Sequence, residues 1–148
     1  MTRNYNKYEL APFKAKELTS IVFKVEGSVA DEAHVGLFNN KAYMSNFDGN
    51  PFYEIIIGGS KNTVTAIHKA GQPAIQAQDT GSDLTSSEEF RSFWVSWEDH
   101  VIAIGRGPKI GENLIVSLND DISPMPVNYV GFSSGYNNSH TWKFSNGT

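Results

Sequence analysis

One segment of the sequence combines an aromatic ring with side-chain amides at close spacing. The run SSGYNNSHTW, from Ser133 to Trp142, places Tyr136 directly before Asn137 and Asn138. Protein sites for sugars pair an aromatic ring, which stacks on the apolar side of a pyranose, with planar polar groups that bind the hydroxyls. These residue types at this spacing indicate carbohydrate binding. The same residues also fit a purely structural turn, because Asn tolerates left-handed backbone and bonds its own chain.

A second aromatic segment is EFRSFWVSW, from Glu89 to Trp97. Its β-branched and aromatic residues predict a strand, whose side chains alternate between two faces. Alternation assigns to the inner face Phe93, Val95 and Trp97. Trp94 lies on the other face between two serines, which predicts an exposed stacking platform, whereas Trp97 and Trp142 are expected in the core.

The predicted site also includes two further hydrogen-bonding side chains, those of Asn62 and Arg91. The predicted carbohydrate-binding residues are Asn62, Arg91, Trp94, Tyr136, Asn137 and Asn138. Arg91 shares a strand face with Phe93, so Arg91 and Trp94 cannot serve one pocket on the same face. A β-bulge, or burial of Arg91 against Glu89 or Glu112, would decide which of the two leaves the site.

The sequence predicts no catalysis. It contains no Cys and no phosphate-binding loop, its four His are scattered singly, and its paired carboxylates are adjacent residues that point apart. The run NFDGN offers Asn46, Asp48 and Asn50 as oxygen ligands for calcium, although one carboxylate is few for such a site and a turn explains the run equally well. We therefore expect a protein that is not an enzyme and has no cofactor, with calcium as the one candidate ion.

Composition narrows the class of protein further. The 148 residues carry a formal net charge of -4 with both signs interspersed, which gives no footprint for nucleic acid or anionic membrane. No apolar run approaches the roughly 20 residues of a spanning helix, and the N-terminus has no apolar signal segment. We expect a soluble protein, and its low charged fraction resembles that of secreted β-proteins.

Short apolar or alternating runs, separated by Gly, Asn and Asp, predict strands every 8–12 residues or so. The predicted strands are Tyr5–Phe13, Thr19–Glu26, Ala33–Phe38, Phe52–Ile57, Thr63–Lys69, Ala74–Ala77, Phe90–Trp97, Val101–Gly105, Leu114–Leu118, Val127–Ser133 and His140–Phe144. The one predicted helical turn is Leu84–Glu89, with Thr85 as its cap and Glu88 closing a capping box. This pattern predicts an all-β protein: a single antiparallel β-sandwich, jelly-roll-like, formed by residues 1–148.

Several of these segments together resemble a known family. They are YEIIIGGSKNT from Tyr53, EEFRSFWVSW from Glu88, IAIGRG from Ile102 and PVNYVGFSSGYNNSHTWKF from Pro126. In this order they are similar to the farnesoic acid O-methyltransferase-like domain, over about residues 21–144. The chain departs from the family pattern at Tyr136, where a Trp is usual, and in the segment 43–51.

The resemblance implies two different functions. The family name implies methyl transfer from S-adenosylmethionine, yet the chain lacks the βα pattern and Gly-rich loop that usually seat this donor. Domains resembling this one also occur as extracellular modules, and similar marine invertebrate proteins act as lectins.

We therefore expect a lectin for galactose-type or related hexose glycans. Single sugar sites are usually weak, so we also expect a homo-oligomer that gains avidity. The alternatives are a farnesoic acid or terpenoid methyltransferase-like or ligand-binding protein, and a structural module for protein interactions.

Overall fold

The computed structural model describes residues 8–45, 50–70, 75–134 and 140–145. Its strands are β1 (Glu9–Leu10), β2 (Ser20–Gly27), β3 (Ala33–Phe38), β4 (Phe52–Gly58), β5 (Val64–Ala70), β6 (Ile75–Thr80), β7 (Arg91–Ser96), β8 (Val101–Arg106), β9 (Leu114–Asn119), β10 (Tyr129–Ser134) and β11 (His140–Ser145). They form a six-stranded sheet in the order β1-β10-β3-β4-β5-β6 and a five-stranded sheet in the order β11-β2-β7-β8-β9. All pairs are antiparallel. The predicted jelly-roll-like β-sandwich is confirmed.

The core lies between the two sheets and is built by alternation. Its large side chains include Phe23, Leu37, Ile55, Ile57, Ile67, Phe93, Val95 and Ile104. Trp97 packs into the same cluster and Trp142 against it, as the sequence predicts. Each fully buried side chain of this size contributes about 1.5–3 kcal/mol, so this shared core holds the two sheets together.

The predicted helical turn at Leu84–Glu89 is wrong. These residues have no helical structure, because the backbone amide and hydroxyl of Thr85 both bond the side-chain oxygen of Asn62 and do not cap a helix. Short 3-10 turns occur instead at Ala15–Glu17, Lys41–Met44 and Glu98–His100. No helix of the described residues is long and apolar enough to cross a membrane.

Candidate functional site on the outer face of the six-stranded sheet

Asn62 has a structural task in the turn between β4 and β5. Ser60, Lys61 and Asn62 all have positive φ, which is costly for residues with a side chain. The Asn62 amide compensates by donating to the Thr85 carbonyl at 3.0 Å and accepting from the Thr85 amide at 2.9 Å. Its hydrogen bonds therefore fasten this turn to the loop that precedes β7.

Arg91 is committed to the same loop. Its guanidinium donates to the carbonyl of Asp83 at 2.9 Å and to the Asp83 carboxylate at 3.1 Å, and it lies 3.5 Å from Glu89. These contacts raise the pKa of Arg91. Arg106 donates to the same Asp83 carbonyl at 2.8 Å. The structure thus brings Asn62 and Arg91 to one loop, where both hold the chain in place.

The expected exposure of Trp94 is wrong. Alternation does place its ring on the outer face of the five-stranded sheet, but only 2% of the residue is exposed. Gly105 lies opposite on β8, and a Cβ there would come within 2.3 Å of the indole, so the glycine lets the ring lie flat on the sheet. The indole N–H donates to the Glu112 carbonyl at 2.6 Å. A ring enclosed in this way offers no stacking platform in this structure.

The remaining predicted residues cannot be compared in the same way. Tyr136, Asn137 and Asn138, and the calcium candidates Asn46 and Asp48, lie outside the described residues. Asn50 is described, and within the described parts of the chain no group of three His, Asp or Glu is placed to hold a metal ion. These roles stay predictions.

A polar cluster that the sequence reasoning missed lies on the outer face of the six-stranded sheet. Strand register places Glu54 opposite His68 and His68 opposite Gln76; in the next row His34 faces Ile56, Ile56 faces Ala66, and Ala66 faces Gln78. Because side chains alternate along a strand, all of these project away from the core. We call the five polar residues His34, Glu54, His68, Gln76 and Gln78, with the adjacent Glu32, the outer polar cluster.

Glu54 is the centre of this cluster and is 2% exposed. One carboxylate oxygen lies 2.8 Å from Nε2 of His68, and the other accepts a hydrogen bond from the Tyr8 hydroxyl. Gly36 makes room for Tyr8, since a Cβ at this glycine would lie 2.9 Å from the tyrosine ring. The buried charge is thus held by hydrogen bonds, as a buried carboxylate requires.

His34 links Glu54 to a second carboxylate. Its Nε2 lies 2.7 Å from Glu32, and its Nδ1 lies 3.5 Å from Glu54. Burial of His34 opposes the charged form, but the hydrogen bonds and charges of the two glutamates prevail and raise its pKa. Glu32, His34 and Glu54 thus lie next to one another on the outer side of the sheet, with His34 hydrogen-bonded to Glu32 and within ion-pair distance of Glu54.

The accessible part of the cluster comprises residues of β5 and of the edge strand β6, together with Glu32, which directly precedes β3. Gln76 and Gln78 are exposed, and the side chains of His68 and Glu32 are 28% and 30% exposed. In the tautomer whose Nε2–H donates to Glu54, Nδ1 of His68 is an acceptor, and no other group of the described residues bonds it. Two amides and an imidazole on β5 and β6 can therefore donate to and accept from the hydroxyls of one polar ligand, and a ligand that extends across β4 would also meet the Glu32 carboxylate.

One sequence signal could have identified this face. Glu54 interrupts the apolar run FYEIIIG, and His68 interrupts VTAIHKA, each at an outward position. Reading each His by itself, as surface or satisfied, concealed the fact that register brings the two strands together.

A second buried polar cluster lies directly behind this face. Tyr53 and Lys69 occupy neighbouring positions on β4 and β5 and point inward. The Lys69 ammonium donates to Asp120 at 2.8 Å, and the Tyr53 hydroxyl donates to the same oxygen at 2.6 Å. Burial opposes the negative charge of the Asp120 carboxylate, but these two hydrogen bonds and a third from the Ser123 amide prevail and lower the pKa of Asp120 to about 2. We call Tyr53, Lys69 and Asp120 the inner ion-pair cluster.

The inner ion-pair cluster fixes the segment 120–128, which lines an open cleft at one end of the sandwich. The cleft has a volume of about 490 Å³. Its apolar lining includes Leu18, Trp97, Ile102, Met125 and Val127, and its polar rim carries Lys16, Asp99 and His100. We refer to it as the end cleft.

Comparison with known proteins places this geometry in context. Chicken galectin 2 matches with a TM-score of 0.59 and 9% identity, over 97% of this chain and 100% of that one. Galectin LEC-6 of Caenorhabditis elegans matches with a TM-score of 0.58 and 8% identity, over 97% of this chain and 94% of that one. The carbohydrate-binding module CBM66 of Bacillus subtilis matches with a TM-score of 0.53 and 12% identity, over 87% of this chain and 73% of that one. At these identities the likeness establishes the fold alone.

Sequence comparison identifies the family. A BTB/POZ domain-containing protein of Arabidopsis thaliana is 36% identical over 97 residues, which are 62% of this chain and 12% of the plant protein's length. The family described as farnesoic acid O-methyl transferase matches residues 4–148, nearly the whole sequence. The chain therefore belongs to the farnesoic acid O-methyl transferase family.

Proposed function

We propose that this protein is a carbohydrate-binding protein, and that the outer polar cluster is its binding surface. The observation that carries the proposal is that His68, Gln76 and Gln78 lie on one accessible sheet face, with the partly exposed Glu32 beside Ile56 on the same face. Planar amides and carboxylates bind paired hydroxyls in a fixed geometry, which is what recognition of a sugar requires. The galectin-like fold is consistent with this proposal.

An apolar strip on this face supports a pyranose as the ligand. Within the second row, between His34 and Gln78, lie Ile56 and Ala66, which offer an apolar strip to the C–H side of a pyranose. We propose a galactose-type or related hexose, with Tyr136 as the candidate stacking ring. Asn137 and Asn138 would add amides beside β10, whose last residue, Ser134, pairs with Ala33 next to His34.

Binding without catalysis is part of the proposal. A glycosidase needs carboxyl groups that reach the scissile bond. Glu54 is 2% exposed and bonded to Tyr8 and His68, which supports a structural carboxylate and not a general acid. We further propose a secreted homo-oligomer, in which several weak sites act together.

Glycan-array binding of purified protein, with and without EDTA, tests the proposal. We expect His68→Ala and a Gln76→Ala/Gln78→Ala double variant to reduce glycan binding at least about tenfold, because a hydrogen-bonding site loses more than the bond energy when partners are removed. The matched control is His100→Ala, an exposed His on the rim of the end cleft. Equal binding by all variants, or no glycan bound by the parent protein, would contradict the proposal.

The end cleft supports a second candidate function. Its apolar lining beside the Lys16 ammonium fits a small ligand with a hydrocarbon body and an acid group, the kind of compound the family description names. Calorimetric titration with farnesoic acid and with S-adenosylmethionine tests this candidate, using Lys16→Ala as the variant. Saturable binding of both compounds would favour a methyltransferase-like function, and binding of neither, together with a flat glycan array, would favour a structural interaction module.

A further inference from the structure

The rim of the end cleft carries two charges of opposite sign. Among the described residues that line the cleft, Lys16 is the one ammonium and Asp99 the one carboxylate, and both are exposed. Neither side chain forms an ion pair or a hydrogen bond with another described residue. An apolar cleft bordered by an unpaired cation and an unpaired anion is complementary to a small ligand that carries both charges.

The turn that carries Asp99 is strained. The amide of Val101 donates to the carbonyl of Glu98 and closes the turn. The two residues between them, Asp99 and His100, have φ of 53° and 67°. Positive φ at both central positions is characteristic of a type I′ turn, for which Asn-Gly is the preferred pair. Side chains at both positions cost free energy, and such strain is kept most often at binding sites. Both residues line the cleft.

The walls of the cleft are fixed by hydrogen bonds that need no ligand. The indole N–H of Trp97 donates to the Leu18 carbonyl at 3.1 Å. The backbone amide of Asp120 donates to the His100 carbonyl at 2.9 Å, which joins the turn to the segment 120–128. Because a pre-formed site loses little conformational entropy on binding, two charges on its rim can discriminate among small ligands.

We propose that the end cleft binds free α-amino acids with a large apolar side chain. The Lys16 ammonium attracts the carboxylate of the ligand, and the Asp99 carboxylate attracts its ammonium. The side chain of the ligand lies against the apolar lining, which includes Leu18, Trp97 and Met125. A cleft of about 490 Å³ accommodates a ligand of this size. This binding is independent of the carbohydrate proposal, and it differs from that of the simple acid considered above because it requires an ammonium group.

Three compounds with one side chain test the charges of the ligand. They are phenylalanine, its carboxamide, which lacks the carboxylate, and N-acetylphenylalanine, which lacks the ammonium. Each is titrated calorimetrically into the full chain at neutral pH and low salt. We expect phenylalanine to bind about fivefold more tightly than either analogue, the upper range for a partly exposed ion pair. Glycine, which has both charges but no apolar side chain, should not bind measurably.

Two substitutions assign each charge of the ligand to its partner. Lys16→Met keeps the hydrocarbon stem and should abolish the preference for phenylalanine over its carboxamide. Asp99→Asn keeps a residue that tolerates left-handed backbone and should abolish the preference over N-acetylphenylalanine. The matched control is Glu98→Gln, an exposed carboxylate of the same turn that does not line the cleft, and it should leave both preferences unchanged.

Equal affinities for the three compounds, tighter binding of N-acetylphenylalanine, or preferences that both substitutions leave unchanged would overturn this proposal. No binding of phenylalanine at millimolar concentration would also overturn it. The carbohydrate proposal stands in each case, because it is tested on a different face of the molecule. If Asp99→Asn is unstable by thermal unfolding, Asp99→Gly replaces it, since glycine relieves the positive φ and also removes the carboxylate.

Discussion

The two buried polar clusters of this protein lie back to back on the same pair of strands. Tyr53 and Lys69 face inward at one position of the β4–β5 ladder, and Glu54 and His68 face outward at the next. The inner ion-pair cluster is closed, because Asp120 receives Lys69, Tyr53 and the backbone amide of Ser123. The outer polar cluster continues to the surface through Glu32 and His68. A closed cluster serves stability, whereas one that reaches the surface can also serve binding.

The strongest test of this contrast removes the charge partner of Lys69. Asp120→Ala leaves a buried ammonium without its carboxylate, and we expect a loss of about 3–5 kcal/mol in the free energy of unfolding. Chemical denaturation measures it, with exposed Asp121→Ala as the control, for which we expect a change within about 0.5 kcal/mol. Similar values for the two variants would mean that the inner cluster is not a structural requirement.

Acid should act mainly on the inner ion-pair cluster. Folding lowers the pKa of Asp120 from 3.8 to about 2. The stability that Asp120 contributes is therefore complete at a pH above the pKa of the unfolded chain, and it is lost as the pH falls through the pKa of the folded protein. We expect a loss of about 2 kcal/mol over this range. Unfolding curves recorded between neutral pH and strong acid measure this loss. If the free energy of unfolding of Asp120→Ala depends on pH as steeply as that of the parent protein, the loss belongs to other carboxylates.

A substitution of Glu54, the centre of the outer polar cluster, should lower the free energy of unfolding by less than Asp120→Ala does. Glu54→Gln keeps an acceptor for the Tyr8 hydroxyl but removes the carboxylate that bonds His68 and lies beside His34, so we expect a loss of about 1–2 kcal/mol in the free energy of unfolding. Denaturation measures the stability, and glycan binding is measured in parallel. A loss equal to that of Asp120→Ala, with binding intact, would make both clusters structural.

Alkaline pH should act on the outer polar cluster in the opposite sense. The pKa of His34 is raised above 6.5, so the stability it contributes is complete below that value and is lost as the pH rises through its folded pKa. We expect the free energy of unfolding to decline from mildly acidic to mildly alkaline pH, and His34→Gln to flatten this decline. Burial lowers the pKa of His140, which acts in the opposite sense, so the test is the difference in stability between the parent protein and His34→Gln, and a difference that does not change with pH would refute the assigned charge on His34.

The strands were predictable from the sequence because alternation and turn residues are local signals. They located β2 to β5 and β7 to β11 within one or two residues, and they assigned Phe93 and Val95 to the core and Trp94 to the opposite face. Whether an outward side chain is covered depends on what lies across it. The Trp94 ring is buried because it lies against Gly105 and donates to the Glu112 carbonyl. Neither contact can be predicted from the sequence pattern around Trp94.

The site was harder to predict because its residues come from different strands. Asn62 and Arg91 read as ligand groups in the sequence, yet each is used to fix the loop 81–90. Glu54 and His68 are fourteen positions apart and meet only through strand register. A single sequence states which residues alternate but not which rows they form across a sheet.

The most direct test of the carbohydrate proposal is chemical-shift mapping on isotope-labelled protein. Galactose, lactose and galactosamine are titrated to millimolar concentration while the backbone and side-chain amide signals are followed. The account predicts saturable shifts at His68, Gln76 and Gln78, including the glutamine side-chain amides, with Lys69 and Asp120 little affected. Shifts confined to the loop 81–90 or to the end cleft, or no shifts with any of the three sugars, would contradict it.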